Sequence, residues 1–93
     1  MELRRGDITD FTINRIGDNR INLTIFRNND ELLEYEINSN PENPDINIII
    51  NELRNGFNEL LELDDAIITL WEQHERNYLY ITFPNGNLSR YNM

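Results

Sequence analysis

Asn43-Pro44-Asp45-Ile46-Asn47-Ile48-Ile49-Ile50-Asn51-Glu52-Leu53-Arg54-Asn55-Gly56-Phe57-Asn58-Glu59-Leu60-Leu61-Glu62-Leu63 is the one segment of this chain in which apolar residues recur clearly at helical spacing. Ile46, Ile49, Ile50, Leu53, Phe57, Leu60 and Leu61 fall on a single stripe, as a helix lying on a core requires. Asn43 suits the N-cap, Pro44 the first helical position, and Asp45 complements the positive end of the helix dipole. A helix from Pro44 to about Leu63 is therefore predicted. Gly56 inside it costs ~1 kcal/mol relative to alanine, and close packing against a strand would be a reason to keep it.

Before this helix the period changes from 3.6 to 2. Thr9–Arg15 places Phe11 and Ile13 on one face, and Ile21–Ile25 and Leu33–Ile37 alternate strictly. Gly17-Asp18-Asn19 and Asn28-Asn29-Asp30 separate these segments with residues that tolerate tight turns. An antiparallel three-strand meander is expected. After the helix, Ala66–Trp71 fits either a short helix or a strand. Its β-branched content and the strand that follows favour the strand. Tyr78–Phe83 puts Leu79, Ile81 and Phe83 on one face, Pro84-Asn85-Gly86 reads as a turn, and Asn87–Tyr91 returns as a last short strand. The predicted fold is α+β in the order βββ-α-βββ, with one helix on one face of an antiparallel sheet and residues 1–93 forming a single domain.

Composition narrows the chemistry. The chain has no cysteine, which excludes disulfides, thiolate catalysis and cysteine-based zinc sites. No apolar run approaches the roughly 18 residues of a membrane span, and no secretory signal precedes the first strand, so a cytoplasmic location and no membrane contact are expected. Seventeen Asp and Glu face eight basic residues, for a net charge of −9. Such a surface repels nucleic acid directly and attracts basic partners. Lysine is absent, so arginine supplies all the strong positive charge, and only Arg4 and Arg5 are adjacent.

No catalytic constellation stands out. His74, the sole histidine, falls in the turn Gln73-His74-Glu75-Arg76, where a solvated side chain is the plain reading. Ser39 and Ser89 lack a neighbouring base, and the carboxylate pairs Glu34 with Glu36 and Asp64 with Asp65 show no spacing of a known metal loop. No enzymatic activity, cofactor or metal is expected.

Binding is the remaining class. Opposite the apolar stripe, helical spacing gathers Ile48, Glu52, Asn55, Glu59 and Glu62, and Asp64 and Asp65 extend the line beyond the helix. A row of carboxylates imitates a row of phosphates in sign and spacing, and an exposed Ile48 would add an apolar anchor. A second surface is the outer sheet face, with Asn22, Thr24 and Phe26 beside Glu34 and Glu36. Among the aromatics, Trp71 is expected in the core. Tyr78, Tyr80 and Tyr91 would form a contact patch if they share a face.

Asn28-Asn29-Asp30, Glu34-Tyr35-Glu36-Ile37, the polar loop after it and the helix ending Leu53-Arg54-Asn55-Gly56-Phe57-Asn58-Glu59 resemble the small acidic anti-CRISPR proteins of phages, in particular the type II-A inhibitors that block Cas9. The likeness covers roughly residues 21–65. It implies a three-strand sheet with helices whose acidic surface occupies the DNA-reading cleft of the effector. The chain departs from that pattern in lacking the N-terminal helix, in a thinner acidic run, and in the strands between Trp71 and Tyr91. The resulting expectation is a non-enzymatic inhibitor presenting carboxylates to a basic protein surface, such as a nuclease or CRISPR effector. Two other classes fit the composition. One is an immunity or antitoxin protein that neutralises a toxin, and the other a structural or subunit-contact protein whose acidity serves solubility.

Overall fold

A computed structural model describes every residue, Met1–Met93. In chain order the elements are β1 (Glu2–Arg4), a single 3-10 turn (Arg5–Asp7), β2 (Ile8–Gly17), β3 (Arg20–Arg27), β4 (Leu32–Asn38), α1 (Ile46–Glu62), β5 (Ile67–Gln73), β6 (Tyr78–Thr82) and β7 (Leu88–Asn92). The protein is α+β, with one helix and a seven-stranded antiparallel sheet. The expected order βββ-α-βββ is corrected to ββββ-α-βββ by β1. That strand is three residues long, too short to show alternation, and it forms only because β5 offers it an edge: Leu3 lies opposite Ile68.

The sheet order is β1-β5-β6-β7-β4-β3-β2. It consists of two meanders, β2-β3-β4 and β5-β6-β7, which meet at a single residue pair, Asn38 opposite Asn92. The long connection between them carries α1 across one face. That face is apolar because each strand alternates: Ile21, Leu23 and Ile25 of β3, Tyr35 and Ile37 of β4, Ile68 and Leu70 of β5, Leu79 and Ile81 of β6 and Tyr91 of β7 are all buried. The helix supplies Ile46, Ile49, Leu53, Phe57 and Leu60 to the same core.

The helix begins later than its first residues suggest. Asp45, not Asn43, is the N-cap, and its side chain accepts the Asn47 N–H at 2.9 Å. Asn43 instead closes a small turn with Asn40, each backbone N–H donating to the other's carbonyl at 3.2 and 3.1 Å. A residue preceding proline is also driven away from helical angles, which holds Asn43 outside the helix. At the far end the Arg5 Nε donates to the Leu61 carbonyl at 2.6 Å, placing a guanidinium against the negative end of α1. The 3-10 turn that follows β1 therefore both links two strands and holds down the helix end. Ala66–Trp71, ambiguous by pattern, is strand: Ile67–Gln73 pairs with β1 on one side and β6 on the other. No helix is long and apolar enough to cross a membrane.

Candidate functional site

Two surfaces of the molecule differ sharply in chemistry, one on the helix side of the sheet and one on the other. On the helix side, Glu52 and Glu59 stand on one flank of α1 and face the β6–β7 turn. Together with Asn55, Gly56, Phe83, Asn85, Asn87 and Ser89 they line a cleft of about 180 Å³. The turn that forms its far wall is set by Gly86 at φ 89°, a left-handed conformation that suits glycine, and by the Asn85 side chain accepting the Asn87 N–H at 2.9 Å. Past the end of the helix Asp64 and Asp65 line a second hollow with Pro84 of the same turn. Glu62 and Ile48 are exposed on the outward side of α1, Ile48 at 51%.

Beneath the cleft the Tyr91 hydroxyl lies 3.4 Å from the Glu52 carboxylate. Burial, and after it the Glu52 charge, push the Tyr91 phenol well above its ordinary value. Tyr91 thus stays a neutral donor under Glu52 and helps to orient it.

None of Glu52, Glu59, Glu62, Asp64 and Asp65 has an ion-pair partner. The ion pairs involving arginine are elsewhere: Arg20 with Glu36 at 3.4 Å, Arg27 with Glu31 at 3.2 Å, and Arg90 with Glu42 at 2.9 Å. Arg54, the one cation on α1, is two residues and about 200° from Glu52 around the helix, on its opposite flank. The helix row expected from spacing is thus brought together without ion pairs, and past its end Arg4 shares a small hollow with Asp64 and Asp65.

Glu34 and Glu36 do not join it. They lie on the outer sheet face, opposite Thr24 and Asn22 of β3, and Glu36 is ion-paired with Arg20 at 3.4 Å. The two acidic groups are on opposite sides of the molecule and form two surfaces.

No family model, no curated protein and no solved structure matches this chain.

One expectation about the aromatics is overturned, and the condition set for the tyrosines is not met. Trp71 is not in the core but 56% exposed, because Ile68 and Leu70 point inward and Trp71, adjacent to Leu70, points to the opposite face. Tyr91 does not share a face with Tyr78 and Tyr80: it is buried at 1% exposure against Leu79, on the helix side. What shares the outer face is Trp71, Tyr80, Tyr78 and Arg90. The Trp71 and Tyr80 rings are 5.1 Å apart, those of Tyr78 and Tyr80 are 6.2 Å apart edge to face, and the Arg90 guanidinium sits 4.4 Å over Tyr78. Arg90 carried no signal in the sequence. Its role comes from register, which sets it opposite Tyr80.

His74 lies in the β5–β6 turn with its side chain 81% exposed, 3.4 Å from Glu72. No group of three or more His, Asp or Glu side chains gathers in a way that could hold a metal.

Proposed function

We propose that this protein is a non-catalytic binder that presents the carboxylates of α1 and of the segment after it to a basic surface on a partner protein. The observation that carries this reading is the unpaired state of Glu52, Glu59, Glu62, Asp64 and Asp65 along one side of the molecule, while the ion-paired arginines lie elsewhere. A charge left without an internal partner retains its full attraction for an external one, and it steers association over roughly a Debye length. Each carboxylate would meet an arginine or lysine, and Ile48 would supply an apolar contact beside them. Partners with several cations on one face are commonly proteins that hold phosphates, so the narrower proposal is an inhibitor of a nucleic-acid enzyme. The resemblance of residues 21–65 to type II-A anti-CRISPR proteins supports that choice.

The test is capture of basic proteins from cell lysate on the immobilised chain, at low and at high salt, with a Glu59→Arg/Glu62→Arg variant alongside. Capture that is strong at low salt, lost at high salt and abolished by the double reversal is expected. Retention that ignores salt, or that survives the reversal, refutes the reading. For the narrower form, the purified chain is added to DNA cleavage by a guide-loaded type II-A Cas9, where inhibition lost in the same variant is expected.

A further inference from the structure

We propose that Asn85 is a site of spontaneous deamidation, at which the Gly86 amide nitrogen closes on the Asn85 side chain and a carboxylate replaces a neutral amide on the wall of the cleft. Two of the four glycines follow an asparagine, in Asn55-Gly56 and Asn85-Gly86. This pairing is the most reactive one for that chemistry, because glycine has no side chain to hinder its nitrogen. The fold puts the two pairs in opposite circumstances.

Asn55 and Gly56 lie inside α1. The helix fixes the dihedrals of both and commits the Gly56 N–H to the carbonyl four residues back. Gly56 is also buried, against the Phe83 ring. Its nitrogen reaches the Asn55 side chain only when the helix unfolds. Asn85 and Gly86 occupy the β6–β7 turn, both exposed, and nothing lies within 4 Å of where a Gly86 Cβ would stand. The Gly86 N–H donates to the Phe83 carbonyl at 2.9 Å, and this bond must open before the nitrogen can attack. It belongs to the connection between Thr82 and Leu88 alone, so fraying of the turn releases it without disturbing the core. The Asn85 Oδ1 accepts the Asn87 N–H at 2.9 Å, a contact that draws electrons from Cγ and makes it the better electrophile.

The step balances with water alone. A base takes the Gly86 amide proton, the nitrogen forms a bond to Asn85 Cγ, and the side-chain nitrogen leaves with a proton as ammonia, closing a cyclic imide. Water then opens the ring. Cleavage of the bond between Cγ and nitrogen gives aspartate, and cleavage at the Asn85 backbone carbonyl gives isoaspartate, in which the chain runs through the former side chain. Either product carries a carboxylate at position 85. It adds a negative charge to the −9 of the chain, in the cleft that Asn85 lines with Glu52 and Glu59. Isoaspartate also lengthens the backbone by a methylene in the turn that forms the far wall. What this does to a basic partner rests on the carboxylate reading above, whereas the modification itself does not.

The experiment ages the full chain in mildly alkaline buffer and follows both asparagines by peptide mass mapping, which reads the conversion of amide to acid and separates aspartate from isoaspartate. Asn85 should convert at least about tenfold faster than Asn55, because a turn opens at a small fraction of the global unfolding free energy. In concentrated urea Asn55 is released from the helix, and the ratio should fall to near unity. Asn85→Gln, whose longer side chain cyclises far more slowly, should remove the fast-forming acidic species seen by ion exchange while keeping the wild-type circular dichroism. Equal retention of the two amides in the folded chain overturns the proposal. Faster conversion at Asn55 also overturns it, as does a fast-forming acidic species that survives Asn85→Gln. No partner takes part in this measurement, so its failure and a failure to capture basic proteins are told apart.

Discussion

Gly56 is a residue whose helical context misleads and whose neighbour explains it. In an exposed helix its replacement by alanine would gain ~1 kcal/mol. Here a methyl group built on its Cα would overlap Cδ1 and Cε1 of the Phe83 ring and lie 3.1 Å from its Cγ. Phe83 is nearly buried at 7% exposure, just past the end of β6, so the ring has little room to retreat. Overpacking of this kind costs about 1–3 kcal/mol and outweighs the propensity gain. Gly56→Ala should therefore lower stability by about 1 kcal/mol in urea titration, whereas an unhindered site would show a rise. Because Gly56 and Phe83 both line the cleft, the same variant should also weaken capture of the basic partner. The sequence carried the glycine but not the ring that demands it.

At the scale of elements, α1 is held at both ends by side chains of other character than its own stripe. Asp45 caps the first turn, and Arg5, from the turn after β1, bonds the Leu61 carbonyl in the last. Removing an N-cap side chain costs about 1 kcal/mol. Asp45→Ala should lower the denaturation midpoint accordingly, while Asn43→Ala, at the position that sequence favours for the cap, should leave α1 itself intact. Helicity followed by circular dichroism during urea unfolding distinguishes the two; an equal loss in both variants would restore the cap to Asn43. The strands were legible because alternation is local. Their order was not, since the Asn38–Asn92 seam joins residues more than fifty positions apart.

For the whole molecule, the buried phenols make stability depend on alkaline pH. Tyr91 and Tyr35 both sit above the ordinary value of 10.0, through burial first and then the charges of Glu52 and Glu72 respectively. The folded state keeps these protons where the unfolded state releases them. Stability is thus fully present below the unfolded value and falls as pH rises above 10.0. Each such proton steepens that fall by about 1.4 kcal/mol per pH unit. Tyr91→Phe should make the loss above that pH shallower by up to one proton's worth, measured as urea-unfolding free energy against pH. An unchanged slope would mean that Tyr91 does not titrate with unfolding.

What the chain determined locally is its set of elements: one helix from a 3.6 period, strands from a period of 2, turns from Asn, Asp and Gly, and an acidic row on the outward side of the helix. These follow from neighbours within a few residues, and the row of Glu52, Glu59 and Glu62 was legible for that reason. Tertiary structure alone decided which carboxylates stand together, since Glu34 and Glu36 are put on the far side of the sheet and Asp64 is put beside Pro84. It likewise brought Arg90 over Tyr78, gave β1 its place against β5 and pressed Phe83 onto Gly56. All of these depend on strand register and on the crossing of α1 over the sheet. They join residues far apart in sequence, and no local preference specifies which distant surfaces will meet.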